Sequence, residues 1–284
     1  MQRIALWLIF VSLLGSSCQQ DYISQEEIRE NLQRSELFLK SVENLTDVQV
    51  YDIFSPPVAS RVYVYPCIAA YEAMQPAYPG VESFANRLRG LNPPEIEVDT
   101  VLVSFELAGI YAFNQVGKQL IFSEEKMAAW QEKIDSTVAS WKVNPKMIKA
   151  SKAYAEKVGQ HILSWAKGDN YDQTRTMPKF SVTDDPSRWK PTPPAYMEGI
   201  EPHWNKIRTM VIDSAAQFRP APPPAFDLSE GSAFFELVKE VYEVGNKLDK
   251  EQRLIASFWD CNPYVMNQTG HVIFSTKKIT PGGH

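Results

Sequence analysis

Residues 98–120 read VDTVLVSFELAGIYAFNQVGKQL, and this stretch decides the fold. Val101, Leu102, Phe105, Ala108, Ala112, Phe113 and Val116 recur at helical spacing and form one face. Leu107, Ile110 and Tyr111 carry the apolar surface around both flanks. A helix that is apolar on most sides can be satisfied only by neighbours on most sides, so it predicts the central helix of a bundle over 98–120.

Working outward, Ser55-Pro56-Pro57 opens the helix before it. Ser55 suits an N-cap, and prolines are tolerated in a first turn because those amides lack helical partners. Val58, Val62, Tyr65, Ile68, Ala69 and Tyr71 carry this helix into the core, and Pro66 inside it predicts a kink or a split. Glu72 and Glu106 lie in these two apolar helices. Paired carboxylates invite a di-metal reading, but that pattern also requires Glu-x-x-His on helices. None of His161, His203, His271 and His284 has a Glu three residues before it. Both carboxylates are therefore read as hydrogen-bonded or ion-paired structural groups, with no metal assigned.

Further out, Ser24 and Glu27 have capping-box spacing, followed by an intermittent stripe of Ile28, Leu32, Leu37 and Leu39. Ser123-Glu124-Glu125 is expected to cap a helix to Trp141, with Trp130, Ile134 and Val138 inward. Asn144-Pro145 opens another, bearing Ile148, Tyr154, Val158, Ile162 and Trp165 and ending near Gly168. Residues 169–227 then hold ten of the twenty prolines together with Phe180, Trp189, Tyr196, Trp204 and Phe218. Aromatics among prolines predict an irregular segment docked on helices rather than a free linker, with a short extended piece at Met210–Ile212. Helices return from Asp227 through Phe234, Phe235, Val238, Val241 and Tyr242, and again from Asp249 to Phe258. The prediction is an all-α bundle of about six to eight helices with one long proline-rich segment.

The amino terminus reads differently. Arg3 precedes an apolar run from Ile4 to Leu14, then Gly15-Ser16-Ser17-Cys18 and the polar Gln19-Gln20-Asp21. The run is too short to span a bilayer as a stable helix. It reads as a lipoprotein signal at 1–17, cleaved before a lipidated Cys18, with 18–23 as tether and 24–284 as the folded part. That places the protein in a bacterial envelope, membrane-anchored through acyl chains. An ordinary signal peptide is the competing reading. Cys67 and Cys261 remain, and an oxidising envelope permits a bridge between them. Sequence cannot bring their Cα atoms within the roughly 7 Å a bridge requires, and buried free thiols are the favoured reading. The formal charge of −5, with both signs interspersed, argues against a nucleic-acid partner, which needs a basic face.

Several segments, in order, resemble the vanadium-dependent haloperoxidase-related branch of the type 2 phosphatidic acid phosphatase superfamily. They are Phe54-Ser55-Pro56-Pro57-Val58-Ala59-Ser60-Arg61-Val62-Tyr63 with Ala69-Ala70-Tyr71-Glu72-Ala73, and Trp189-Lys190-Pro191-Thr192 with Pro202-His203-Trp204. Gln217-Phe218-Arg219-Pro220 with its following prolines, Ile255-Ala256-Ser257-Phe258-Trp259-Asp260, and Pro281-Gly282-Gly283-His284 complete the series. The resemblance implies a helical cage in which one Lys and two Arg neutralise a vanadate or phosphate. A Ser and backbone amides donate to its oxygens, one His bonds the central atom or attacks it, and a second His moves protons. With vanadate such a centre activates peroxide to oxidise halide; with phosphate esters it hydrolyses them.

The cage motifs do not fall in this chain. Lys-x6-Arg-Pro fails at Arg219-Pro220, where Ile212 replaces the Lys. Pro-Ser-Gly-His has Gly282 for Ser, and Arg-x5-His meets Cys67 after Arg61 and Pro194 after Arg188. The resemblance therefore implies a pre-catalytic helical part, with vanadate and its ligands expected in polypeptide beyond residue 284. No catalytic, cofactor or metal residue is assigned. His161 and His203 read as structural, while His271, with Asp260 and Trp259 near it in sequence, is the candidate for a pocket lining. Val272 to Phe274 and Ile279 are expected to expose apolar surface for a missing half, unless the tail folds back on its own bundle. Two other readings stay open: a phosphatase using the same cage, and a non-catalytic lipoprotein that binds a partner or glycan through the aromatic, proline-rich segment.

Overall fold

A computed structural model describes residues 21–97 and 99–259, all-α, with no strand among them. The chain divides after Ala166 into two compact units. The first holds α1 (Gln25–Ser35), α2 (Leu37–Tyr51), α3 (Pro56–Met74), α4 (Phe105–Gln119), α5 (Glu124–Ser140) and α6 (Pro145–Lys167, ending just past the boundary). The central helix of the sequence reading is α4. Every residue from Glu106 to Gly117 except Gln115 is buried, and α3 packs along it more extensively than any other pair of helices. Leu107, Phe113, Val116, Val62, Tyr65, Ile134, Val158 and Ile162 form the core around it.

This helix begins later than its periodicity suggests. Val101 and Leu102 are exposed, and α4 starts at Phe105 behind Ser104. Asp99 explains the difference: its carboxylate accepts from the Val101 amide and its carbonyl from Leu102, a local turn that competes with helix. Ser104 then closes the end by accepting from the Leu107 amide. Val98 lies outside the described residues.

Ser24 and Glu27 make the expected capping box on α1. The stripe that follows is broken at Glu36, which adopts φ 54° and separates α1 from α2. The break leaves Leu39 exposed while Ile28 and Leu37 are buried. Pro66 does not split α3, which runs unbroken over 19 residues. The buried Pro66 and the long α3–α4 contact supply packing that outweighs one missing amide bond. Ser55 makes no side-chain cap bond, and its hydroxyl is buried without a partner among the described residues.

Ser123 is not a side-chain cap either. Its hydroxyl donates to the Asp52 carboxylate, which also accepts from the Phe122 and Ser123 amides at 2.9 and 3.1 Å. Asp52, from the end of α2, thus satisfies the start of α5 across 70 residues. Burial alone would raise the Asp52 carboxyl, but these bonds and the nearby Lys126 hold it below the usual carboxylate range. Cys67 is an exposed free thiol rather than a buried one, because it falls on the outward side of α3; Cys261 lies outside the described residues.

The second unit holds α7 (Tyr171–Thr174), α8 (Ala233–Lys247) and α9 (Lys250–Phe258), with a 3-10 turn at Trp204–Lys206. Its irregular segment is pinned internally. Arg208 N donates to the Asp169 carbonyl, Asn170 to the Lys206 carbonyl, and Arg175 pairs with Glu201. Met210–Ile212 forms bends rather than an extended strand, since Thr209 Oγ1 donates to the Ile212 carbonyl and no neighbouring strand exists among the described residues. Phe180, Trp189, Tyr196 and Phe218 are exposed, against the expectation of docked aromatics; Phe180 and Trp189 meet edge to face.

The helix expected from Asp227 starts at Ala233. Asp227 is consumed in a turn, its carboxylate accepting from Ser229 N and its carbonyl from Ser232 Oγ. Ser232 then caps α8, and Asp249 forms a full capping box on α9. Both helices are amphipathic, yet Leu237, Val238, Val241, Tyr242 and Val244 on α8 and Leu254 and Ile255 on α9 are exposed.

Candidate functional site

Of the residues the sequence marks as candidates, Trp259 alone is described. It follows α9, is exposed, and meets Phe258 edge to face at 5.2 Å. Cys18, Asp260, His271 and the Pro281–His284 segment lie outside the described residues, as does the apolar tail from Val272 to Ile279.

The two histidines in view each make a structural contact. Nε2 of His161 lies 2.8 Å from the Asn92 carbonyl oxygen, and Nε2 of His203 lies 2.7 Å from that of Pro178. Each contact ties a loop to a helix or turn through one ring nitrogen.

The buried carboxylates are structural too. Glu72 accepts from Ser83 Oγ at 2.7 Å and from the Phe84 amide at 2.6 Å, anchoring the loop after α3. Glu106, in the first turn of α4, accepts twice at Oε1 from Arg29, through Nε at 2.9 Å and a terminal nitrogen at 2.7 Å. The pairing raises the Arg29 guanidinium above its ordinary range, through the hydrogen bond first and charge attraction second. No group of three or more metal-ligating side chains occurs among the described residues.

An oxyanion centre needs several cations released from other partners and aimed at one point. Six of the described arginines do not fit that requirement. Arg29, Arg34, Arg87, Arg175 and Arg188 each pair with a carboxylate of their own. Arg61, from the Ser60-Arg61 pair, lies over the Tyr65 ring and donates to the Ala166 carbonyl. These six arginines are therefore committed to other partners.

What the first unit does contain is a cavity of about 300 Å³ beside the Arg29–Glu106 pair, walled by α1, α2, α4 and the turn after α3. No motif marks it, because its walls come from distant segments. The signal available in sequence was Glu106, a carboxylate in an apolar run that must find a cation.

This fold is of the haloperoxidase-related, type 2 phosphatidic acid phosphatase kind, as the motif resemblance implied. The particular likeness is to a crystal structure described as that of the first bacterial vanadium-dependent iodoperoxidase. The two match at TM-score 0.76 and 48% identity over 81% of this chain. The chain spans 57% of that protein's length. No protein-family model matches the chain, and no curated protein does.

Proposed function

We propose that this chain is the helical, pre-catalytic part of a vanadium-dependent haloperoxidase-type protein, which oxidises halide with peroxide. The observation that carries the reading is the 48% identity to the iodoperoxidase over 81% of the chain. At that identity a shared backbone is expected, and the aligned part is 57% of the neighbour. In this reading the oxyanion cage belongs to further polypeptide, and the chain alone is inactive. The exposed apolar faces of α8 and α9 are then the natural contact for that polypeptide, since surfaces of this kind mark interaction sites. The lipoprotein signal read at 1–17, with acylation at Cys18, would hold the assembly at a bacterial envelope membrane.

A phosphatase remains the second reading, because the same cage hydrolyses phosphate esters. The test is to read the gene through and beyond codon 284 and to assay the extended product. Lys-x6-Arg-Pro, Ser-Gly-His and Arg-x5-His in that extension, with vanadate-dependent iodide or bromide oxidation, support the proposal. Phosphate-ester hydrolysis without halide oxidation favours the phosphatase. A stop with no such motifs in any nearby frame sinks both and leaves a non-catalytic binding lipoprotein.

A further inference from the structure

The first unit has two ends, set apart by α4, whose 15 residues span about 22 Å. Where α4 begins, Val101 and Leu102 project from the turn before it, Val101 at 79% exposure. The turn is preformed. The Asp99 carboxylate accepts from the Val101 amide at 3.1 Å, and the Asp99 carbonyl accepts from the Leu102 amide at 3.0 Å. Both amides are satisfied without water, so the turn can enter an apolar medium with these bonds intact.

The chain enters the fold at this same end. The Ile23 amide donates to the Lys142 carbonyl at 3.3 Å, and Gln25 Nε2 donates to the Val103 carbonyl at 3.1 Å. Tyr22, just before, is exposed and pairs an apolar ring with a polar tip. Cys18 stands five positions before Ile23, so an acylated Cys18 keeps Ile23 within about 17 Å of the bilayer. The far end is apolar too: Ile53 is 88% exposed, and Phe122 is bonded to its neighbour Asp52. Exposure alone therefore does not choose between the ends, but reach does. With the far end down, the entry point would stand about 22 Å or more above the bilayer, beyond the tether. Charge does not choose either. Lys142, Lys146 and Lys149 are exposed near the entry point, but so are Asp21, Glu26, Glu97 and Asp99.

We infer that in the lipidated protein the entry end of the first unit faces the bilayer, with Val101 and Leu102 seated in its interface. The inference rests on the lipoprotein part of the proposed function. The acyl chains hold the protein, and the apolar turn sets which end is down.

The test uses the processed 284-residue protein with Cys67→Ser and Cys261→Ser, in phosphatidylcholine vesicles containing doxyl-labelled lipid. Acylation blocks the thiol of Cys18, so a fluorophore attaches only at an introduced cysteine. Val101→Cys, Lys142→Cys and Ile53→Cys each carry it in turn. Expected is loss of fluorescence to the doxyl lipid at positions 101 and 142, with none at 53. Adding Val101→Asp with Leu102→Asp should abolish the loss at 142 while the protein stays on the vesicles, since a charge resists the apolar interface. With Cys18 acylated, no loss at 101, or an equal loss at 53, overturns the inference and leaves the lipoprotein reading standing. Undiminished loss at 142 in the folded double-aspartate protein also overturns it, because the tether alone would then set the orientation. A mass spectrum showing Cys18 unacylated sinks the lipoprotein reading and the inference with it. Should the double-aspartate protein fail to fold, the comparison of 101 with 53 decides.

Discussion

Asp52→Asn isolates one long-range bond set. In the native chain the Asp52 carboxylate accepts from two amides and one hydroxyl at the start of α5, where helix dipole and unpaired amides both favour an anion. Asparagine keeps the shape but loses the charge and turns a donor toward donors. A hydrogen bond to a charged group is worth about 1.5–3 kcal/mol, and Asp52 is only half-buried, so solvent screens part of it. The expected loss is about 1.5 kcal/mol at neutral pH. The folded-state carboxyl titrates below its unfolded value, so its contribution is complete above about pH 4 and is lost as pH falls through the folded pKa. Urea unfolding of wild type and variant at pH 7 and in a series down to pH 3 should show a gap that closes on acidification. A gap under about 0.5 kcal/mol at pH 7, or one that does not narrow in acid, refutes the reasoning.

Other changes follow from the same contacts. Arg29→Met strands Glu106, whose side chain is 6% exposed, and should cost about 2 kcal/mol in urea unfolding, less than a fully buried pair because Arg29 is 33% exposed; Arg29→Met with Glu106→Leu should recover most of that. Phe113→Ala removes a fully buried ring at the centre of α4 and should cost about 3–5 kcal/mol by the same measurement. Gly109→Ala places a methyl into the Met74 side chain and 3.1 Å from the Ala70 carbonyl oxygen, so it should cost about 1–3 kcal/mol, with partial rescue by Met74→Ala.

The parts of the fold legible in sequence were those governed by local rules. The periodicity of 98–120 located the central helix, and Ser24 and Glu27 located the start of α1, because both signals lie within one or two turns. What failed was decided elsewhere. Asp99 took the first turn of α4 into a local bend. Ser123 looked like a cap, but its hydroxyl serves Asp52, a partner no window of sequence contains. The proline-rich aromatics suggested docking, yet Trp189 and Phe218 are exposed while backbone pairings such as Arg208 to Asp169 order the segment. For the site, sequence read His161 and His203 as structural, and each places a ring nitrogen against a backbone carbonyl. It did not find the cavity of the first unit, whose walls bring together residues as distant as Arg29 and Glu106, 77 positions apart.

In the proposed reading this chain carries the scaffold while the oxyanion cage lies in further polypeptide. Vanadate titration followed by ⁵¹V NMR, on the 284-residue chain and on the same chain extended by its downstream coding sequence, tests it directly. An unbroadened vanadate signal is expected with the 284-residue chain and a broadened, bound signal with the extended one. Stoichiometric vanadate binding by the 284-residue chain alone would contradict it.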